Sequence, residues 1–489
     1  MSRPTGADLL QALGRDDLLV SGPATLPLIL GVTTDSREVA PGSLFVAVRG
    51  SQVDGHRYLT DAVRAGAAAV VVEAAQPDLG VPVVVVRDGR RAAIALARAW
   101  YGDPARHLSL IGVTGTSGKT TTTLLIRHLL NEQGTAGSIG TLGAFDGAGR
   151  AIPSTAGSLT TPGPVDLQAT LAGLVSAGVE RVAMETSSHS LDQGRLDGLA
   201  FDGAIFTNLS REHLDYHPTM DDYRRAKLGL LDLLAPGGVV AVNRDDPAWH
   251  DLAARPDAIT FGVDPTAKVR AEGVVLLPAE SRFTLTGPYG TAEVTIPLPG
   301  EFNVANALGA AACALGLGLP FDHVVARLGT APQVPGRMER LAERPCLVIR
   351  DYAHKPDALE RVLDTLRPIT SGRLIVLFGC GGDRDKGKRP IMGQLAAERA
   401  DLVVVTSDNP RTEDPERIID DIVAGIPPGT AFQRIPDRRE AIRRTLADVV
   451  SGDTVVLAGK GHETYQIIGK QYLPFDEREI VADVLGGRS

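Results

Sequence analysis

Residues 113–123, Val-Thr-Gly-Thr-Ser-Gly-Lys-Thr-Thr-Thr-Thr, carry the clearest capacity for chemistry in the chain. An apolar run precedes them and a helical pattern follows, so the turn points backbone N–H groups and a positive helix end at a phosphate. Lys119 would reach the terminal phosphates and the Thr120 hydroxyl would bind Mg²⁺. The strict phosphate-loop pattern has glycine five positions before Gly118, where this chain has Val113. The loop is therefore a variant in which Gly115 and Gly118 do the cradling, with Thr116, Ser117 and Thr121 beside them. A plain glycine turn packing a strand on a helix is the bland alternative, and the Gly118-Lys119-Thr120 context disfavours it. The loop implies nucleotide binding but names no reaction.

Two further stretches place acids and imidazoles after apolar strand-like runs. Glu185 and His189 follow a run over 179–184, and His213 follows another over 203–207. Open α/β sheets bind ligands at such strand ends. A carboxylate there could hold Mg²⁺ beside phosphates, and an imidazole could complete a second metal position. Lys227 lies in an amphipathic helical pattern, where spacing alone reads as a surface lysine and its charge would repel Mg²⁺. Toward the C-terminus, residues 378–390 pack four glycines among Arg384, Lys386, Lys388 and Arg389. That loop suits an anionic ligand, or is a mobile solvated turn. Asp408 and Arg411 would form a structural ion pair, or clamp an amino acid, with Arg411 on its carboxylate and Asp408 on its ammonium. Asp414 and Pro415 read as a helix cap and first turn, and Glu463 adds an acid after another strand.

The elements that must position these groups are legible in the apolar pattern. Runs at 68–72 and 81–86 read as buried strands, 88–100 as a helix, and 101–104 as a turn and linker. From 108 to about 336, strand and helix patterns alternate as in a parallel sheet, with strands at 179–184, 203–207 and 238–243. Residues 268–299 read as an antiparallel insertion. The alternation resumes with strands at 346–350, 374–378, 402–406 and 454–458. The expected fold class is α/β in three domains. A small N-terminal α/β domain covers 1–104, a central P-loop parallel-sheet domain 105–335, and a C-terminal Rossmann-like domain 336–489.

Composition narrows the function classes. The 489 residues carry 50 basic against 59 acidic side chains, a net charge of −9, and have no basic tail, which argues against a nucleic-acid or membrane-surface binder. Only eight of the basic residues are lysine, so each lysine invites the question of whether a compact or reactive amine is required there. Three scattered cysteines indicate neither a disulfide framework nor a zinc site. The N-terminus lacks signal-peptide features, and the most apolar stretch, 307–321, is too short to span a membrane and reads as a buried helix. A cytoplasmic protein without a membrane span is expected.

Taken together, Thr34-Asp-Ser-Arg, the loop at 113–122, Glu185-Thr-Ser-Ser-His, the run 207–217, Glu301-Phe-Asn-Val-Ala-Asn, Pro335-Gly-Arg-Met-Glu, Asp351-Tyr-Ala-His, the loop 381–390 and Asp408-Asn-Pro-Arg resemble the muramyl (Mur) ligases, in order and over nearly the whole chain. The resemblance implies ATP-dependent amide synthesis through an acyl phosphate, adding meso-diaminopimelate to UDP-N-acetylmuramoyl-L-Ala-D-Glu in peptidoglycan precursor synthesis. Relatives that add lysine differ at 408–411. It implies that Thr34, Ser36, Ser51, Gln52 and Val53 hold the UDP end, and that Thr160, Thr161, Ser187, Gln193 and Arg195 hold the muramoyl peptide. Thr120, Glu185 and His213 would serve Mg²⁺. Lys227 would carry a CO₂-derived carbamate that reverses its charge, and with Lys119, His213 and Glu185 it would form the catalytic set. Asn306, Arg337 and Asp351 would join residues 115–121 around ATP. Arg384, Asp408, Asn409, Pro410, Arg411, Gly459 and Glu463 would hold diaminopimelate. A monomer is expected. The rivals are a related lysine-adding or folylpolyglutamate synthetase-like ligase and, in another class, a P-loop module that hydrolyses ATP without forming a bond.

Overall fold

A computed structural model describes residues 3–50, 53–153 and 159–486; Ser51 and Gln52 lie outside the described residues. The chain separates into two compact units, one of residues 1–270 with 306–324, the other of 271–305 with 325–489.

The first unit holds two sheets. The N-terminal sheet has five strands in the order Leu19–Ser21, Val83–Val86, Ala69–Val72, Ser43–Val46, Gly31–Thr33. Its four later strands are parallel and the first is antiparallel. Uninterrupted valine runs fill its interior, as expected for strands buried on both faces. The helix Gly89–Tyr101 packs on it, opened by the Asp88 carboxylate accepting from Arg90 and Arg91 N–H and closed by Gly102 at φ +74°. Tyr101 thus ends the helix instead of opening the linker.

At the centre of the second sheet, Ser109–Thr114 lies between Arg181–Glu185 and Phe201–Phe206, all parallel. Leu234–Asn243 and Ala258–Gly262 extend it on one side, Ala136–Gly140 on the other. Register does the positioning. Glu185 pairs with Val113 and Phe206 with Thr114, so the carboxylate of Glu185 and the segment after Phe206 end level with the glycine loop. The strand starts two residues later and ends one later than the pattern 179–184 indicated, because Val179 closes the preceding helix, its N–H bonding the Leu174 carbonyl. Glu185 is consequently the last strand residue, and His189 belongs to a short helix, Ser188–Asp192. The helix Glu301–Gly316 passes from the second unit into the first at Asn306.

In the second unit, six strands run in the order Glu339–Ala342, Leu347–Asp351, Thr454–Ala458, Leu374–Phe378, Leu402–Val405, Phe432–Arg434. The first pair is antiparallel and the rest parallel. Buried aliphatic clusters lie on both faces. The loops after Asp351, Phe378, Val405 and Ala458 therefore gather at the same sheet edge. Residues 268–299 are antiparallel only in part: Ser281–Gly287 and Gly290–Ile296 form a hairpin, whereas Val269 and Arg270 pair parallel with Phe261 and Gly262. All three cysteines are buried and free.

Candidate active site

In the first unit the glycine loop is built so that only glycine fits. Gly115 has φ +148° and a Cβ there would lie 1.9 Å from Thr207 Oγ1; Gly118 has φ +82° and its Cβ would lie 2.3 Å from Asn306 Oδ1. Asn208 secures the turn, its Oδ1 accepting from Ser117 N–H at 2.8 Å and its backbone oxygen from Thr116 N–H at 2.8 Å. Thr122 Oγ1 donates to Asn306 Oδ1 at 3.2 Å. The helix Lys119–Leu130 starts immediately after Gly118, with Thr120 buried in its first turn. Lys119 Nζ folds back onto the carbonyls of Gly115 and Thr116, both at 2.9 Å.

Lys227 is not a surface lysine. It is 1% exposed, donates to the Gly115 carbonyl at 2.7 Å, and sits 4.3 Å from the centroid of the Tyr223 ring. Burial, reinforced by the Lys119 charge, drives its amine well below the usual lysine range. The amphipathic pattern had placed it outside because its helix, Met220–Leu228, is short and carries four other charged side chains.

Around this point the two histidine loops meet. The rings of His189 and His213 lie 4.8 Å apart, and His189 and His217 5.5 Å apart. His213 holds a left-handed φ of +56°. Burial, then the charges of Lys119 and Lys227, push it down to about 4, so its imidazole is a neutral donor or ligand near pH 7. Glu185 is 1% exposed and accepts from the Thr141 N–H at 2.8 Å and the Thr141 hydroxyl at 3.2 Å. Among the described residues no three His, Cys, Asp or Glu side chains stand close enough to hold a metal alone. A divalent cation beside Thr120, Glu185 and His213 must complete its shell from phosphate and water, which is how Mg²⁺ is ordinarily bound. That donor set fits Mg²⁺, and a buried amine with a depressed pKa at Lys227 fits carbamate formation, since CO₂ adds to a free amine.

The residues expected to hold a muramoyl peptide adjoin Glu185. Thr161 Oγ1 donates to the Glu185 carbonyl at 2.8 Å, Thr160 Oγ1 accepts from Thr141 Oγ1 at 3.3 Å, and Ser187 Oγ lies 3.3 Å from Thr161 Oγ1. Arg195 forks onto Gln193 Oε1 at 3.0 and 2.6 Å. Thr34, Ser36 and Val53 lie apart from these in the N-terminal sheet region, Ser36 opening a short 3₁₀ turn capped by Asp35 and Val53 half exposed.

In the second unit, Asp351 is buried and accepts from Met338 N–H at 2.7 Å; burial raises its carboxyl above the usual range. Arg337 stacks 4.5 Å over the Tyr352 ring. The loop 408–411 is clasped by the hairpin Tyr465–Ile468 and Gln471–Pro474. Arg411 N–H bonds the Ile467 carbonyl at 3.0 Å and Gln466 Nε2 donates to the Asp408 carbonyl at 2.7 Å. Arg411 takes a left-handed φ of +52°. Asp408 and Arg411 are not ion-paired with each other: Arg411 Nη1 donates to the Gly382 carbonyl at 2.9 Å, and Asp408 lies 3.3 Å from Lys460 Nζ. Asn409 Nδ2 donates to Glu463 Oε2 at 2.8 Å. Gly459, φ +112°, bonds back to the Asp351 carbonyl at 3.0 Å.

The basic loop 378–390 is more tied down, and less available to an anion, than its composition indicated. Arg389 is fully buried on Glu413 and Asp421, Lys386 pairs with Glu413 at 3.2 Å, and Lys388 donates to the His354 carbonyl at 2.7 Å. The reason is that Glu413, from the segment after Arg411, supplies the anion. Arg384 and Lys386 stay exposed, Lys386 while pairing with Glu413. Sequence reasoning gave no role to Asn208, Thr141, Tyr223 or Lys460. Asn208 and Lys460 had the same signal as their neighbours, polar residues directly after a strand; Thr141 and Tyr223 had none.

Residues 28–101 match the family description "Mur ligase family, catalytic domain", 113–314 match "Mur ligase middle domain", and 336–461 match "Mur ligase, glutamate ligase domain". The UDP-N-acetylmuramoyl-L-alanyl-D-glutamate–2,6-diaminopimelate ligase of Gloeobacter violaceus is 46% identical over 466 residues, covering 94% of each chain. The chain belongs to the Mur ligase family. A second relative of the same name, from Geobacillus thermodenitrificans, is 46% identical over 93% of this chain and 94% of its own. A solved structure of a ligase of that name, 33% identical, superposes with a TM-score of 0.68 over 100% of this chain and 99% of the other. The three-domain α/β fold of the Mur ligases is thus the fold of this chain. No described helix is long and apolar enough to cross a membrane.

Proposed function

We propose that this Mur ligase uses ATP to add meso-diaminopimelate to the D-glutamyl γ-carboxylate of UDP-N-acetylmuramoyl-L-Ala-D-Glu, in the cytoplasm and as a monomer. The observation that carries the reading is the coexistence of two built sites: a glycine loop on which Lys119 and Lys227 both reach the Gly115 carbonyl, and an acid–amide–guanidinium loop at Asp408, Asn409 and Arg411. The names of the relatives support the choice of amino acid.

A carboxylate is a poor acyl donor because its leaving group would be oxide. The γ-carboxylate oxygen therefore attacks the terminal phosphorus of ATP, ADP leaves, and an acyl phosphate forms. Lys119, on the loop, and the N–H groups of the helix start stabilise charge on the transferring group. The Gly115–Thr121 segment, Asn306, Arg337 and Asp351 bind the nucleotide in this reading. Thr160, Thr161, Ser187, Gln193 and Arg195 orient the muramoyl peptide, and Thr34, Ser36 and Val53 its UDP end. Thr120, Glu185, His213 and a carbamylated Lys227 would hold Mg²⁺, which when bound neutralises phosphate charge. The amine of diaminopimelate then attacks the acyl carbon and phosphate departs, while Arg411 and Arg384 receive the carboxylate of the distal end and Asp408 and Glu463 its ammonium.

Phosphate release on UDP-muramoyl dipeptide tests the reading. Release that depends on meso-diaminopimelate is expected. Release with L-lysine and none with diaminopimelate would overturn it.

A further inference from the structure

Lys460 is as fully buried as any apolar core residue, at 0% exposure. It follows the strand Thr454–Ala458 and turns inward beneath the 408–411 loop. Its Nζ lies 3.0 Å from Asn409 Oδ1, 2.8 Å from the Tyr465 carbonyl, 3.3 Å from Asp408 Oδ1 and 3.6 Å from Glu463 Oε2. Its four neighbours thus come from three segments: the 408–411 loop, the turn at 463 and the hairpin. A buried ammonium is tolerated only where such partners replace water.

Two details separate this cluster from a closed structural ion pair. The Asp408–Lys460 contact lacks hydrogen-bond alignment, so the buried Asp408 Oδ1 has no hydrogen-bond donor among the described residues. An unmet buried carboxylate oxygen is costly and marks the place of an incoming donor. Glu463 accepts from Asn409 with the same Oε2 that faces Lys460, which leaves its other oxygen for a ligand.

Charge then decides what the pocket accepts. Asp408 and Glu463 contribute two negative charges, and Lys460, Arg411 and Arg384 supply positive ones. A pocket with both signs displayed matches the zwitterionic distal end of diaminopimelate. It mismatches the lone terminal ammonium of lysine, which brings no carboxylate to Arg411.

Resting on the amino-acid assignment above, we propose that Lys460 is a positioning residue for selectivity. It holds Asp408, Asn409 and Glu463 in place and supplies the counter-charge that makes the pocket select a zwitterion over a simple ammonium.

The test compares wild type, Lys460→Met and Lys460→Arg by phosphate release on UDP-muramoyl dipeptide, with meso-diaminopimelate or L-lysine, alongside melting temperatures. In Lys460→Met the KM for diaminopimelate is expected to rise at least about tenfold, equivalent to about 1.4 kcal/mol. KM for ATP and for the UDP substrate should hold, and the ratio of kcat/KM for diaminopimelate over lysine should fall. Lys460→Arg should restore part of that ratio. An unchanged diaminopimelate KM in a folded Lys460→Met overturns the proposal. So does an equal loss for all three substrates, which is the mark of a merely structural lysine. If wild type shows no diaminopimelate-dependent release, the amino-acid assignment itself fails. Should Lys460→Met not fold, the eight lysines allow a direct observation on wild type. With ¹⁵N-lysine labelling, and Lys460→Arg for assignment, the Lys460 ammonium resonance is expected to shift on adding diaminopimelate. A resonance that does not move overturns the proposal.

Discussion

Two lysines of this chain are sealed from water, and they are sealed in opposite ways. Lys227 is buried against a carbonyl and an aromatic ring, and the charge acting most on it is the like charge of Lys119. Lys460 is buried against two carboxylates, an amide oxygen and a carbonyl. Desolvation without a counter-ion lowers the pKa of the first amine; the second is surrounded by counter-ions that replace its water. The same residue type is therefore buried beside a like charge in one unit and among opposite charges in the other. The difference lies wholly in what neighbouring strands deliver to their ends.

The contrast is broken most severely at Lys227. Lys227→Ala is expected to lower kcat by about 10²–10³-fold, the range for losing one preorganised group at a reacting centre. Added formate or acetate should recover part of it if an anion is what the position supplies. Full activity in the unsupplemented variant would remove Lys227 from the catalytic set. The next effect is in the second unit. Arg411→Ala removes the cation expected to meet a carboxylate, so kcat/KM for diaminopimelate should fall roughly 10–100-fold, about 1.5–3 kcal/mol, with KM for ATP unchanged. Unaltered amino-acid kinetics would refute the clamp.

How far these sites could be read from sequence follows from the range of the forces involved. The strands Leu374–Phe378 and Thr454–Ala458 were legible to the residue, because unbroken aliphatic runs flanked by turn residues permit little else. The glycine loop was legible because φ and close approach both demand glycine at 115 and 118. The start of the strand ending in Glu185 was misplaced by two residues, since a backbone bond from Val179 to the preceding helix is invisible in hydrophobicity. Burial of Lys227 was invisible for a stronger reason: it depends on Gly115, 112 positions away. The family resemblance pointed to Lys227 where spacing did not. For Lys460, neither spacing nor resemblance assigned a role. The basic loop was read as open because its neutralising partner, Glu413, lies some 25–30 residues beyond it.

A milder probe of the second lysine's surroundings is pH. Burial, with the Asp408 charge, holds Glu463 above the usual glutamate range. It must be ionised to receive the ligand's ammonium, so the acid limb of kcat/KM for diaminopimelate should lie above pH 4.5, falling about tenfold per unit below it. Tyr352, Lys460, Asn409 and Asp408 are the groups facing it. Glu463→Gln should be slower and should lose that limb. A limb at the ordinary glutamate position in wild type, or one retained in Glu463→Gln, would assign the ammonium contact elsewhere.

The smallest expected effect separates holding the loop from reading the ligand. Glu413 accepts from the buried Arg389 and from Asp383 N–H, and pairs with Lys386; these contacts, Arg389 first, hold its carboxyl down at about 2 against an ordinary 4.5. A depressed carboxylate stabilises the fold fully above its unfolded value and loses that contribution as pH falls through its folded value. Stability from Glu413 is thus complete above about pH 4.5 and lost progressively toward pH 2. Arg389 keeps Asp421 when Glu413 is neutralised, so Glu413→Gln should cost only about 1 kcal/mol at pH 7, about 2–4 °C in Tm for a unit of this size. The gap to wild type should narrow below pH 4.5. Because Glu413 is spent on Arg389 and Lys386, KM for diaminopimelate should stay within about twofold, under 0.5 kcal/mol. A variant that kept its Tm but lost diaminopimelate affinity would show that the loop's anchor also meets the ligand, and the division between strut and pocket would have to be redrawn.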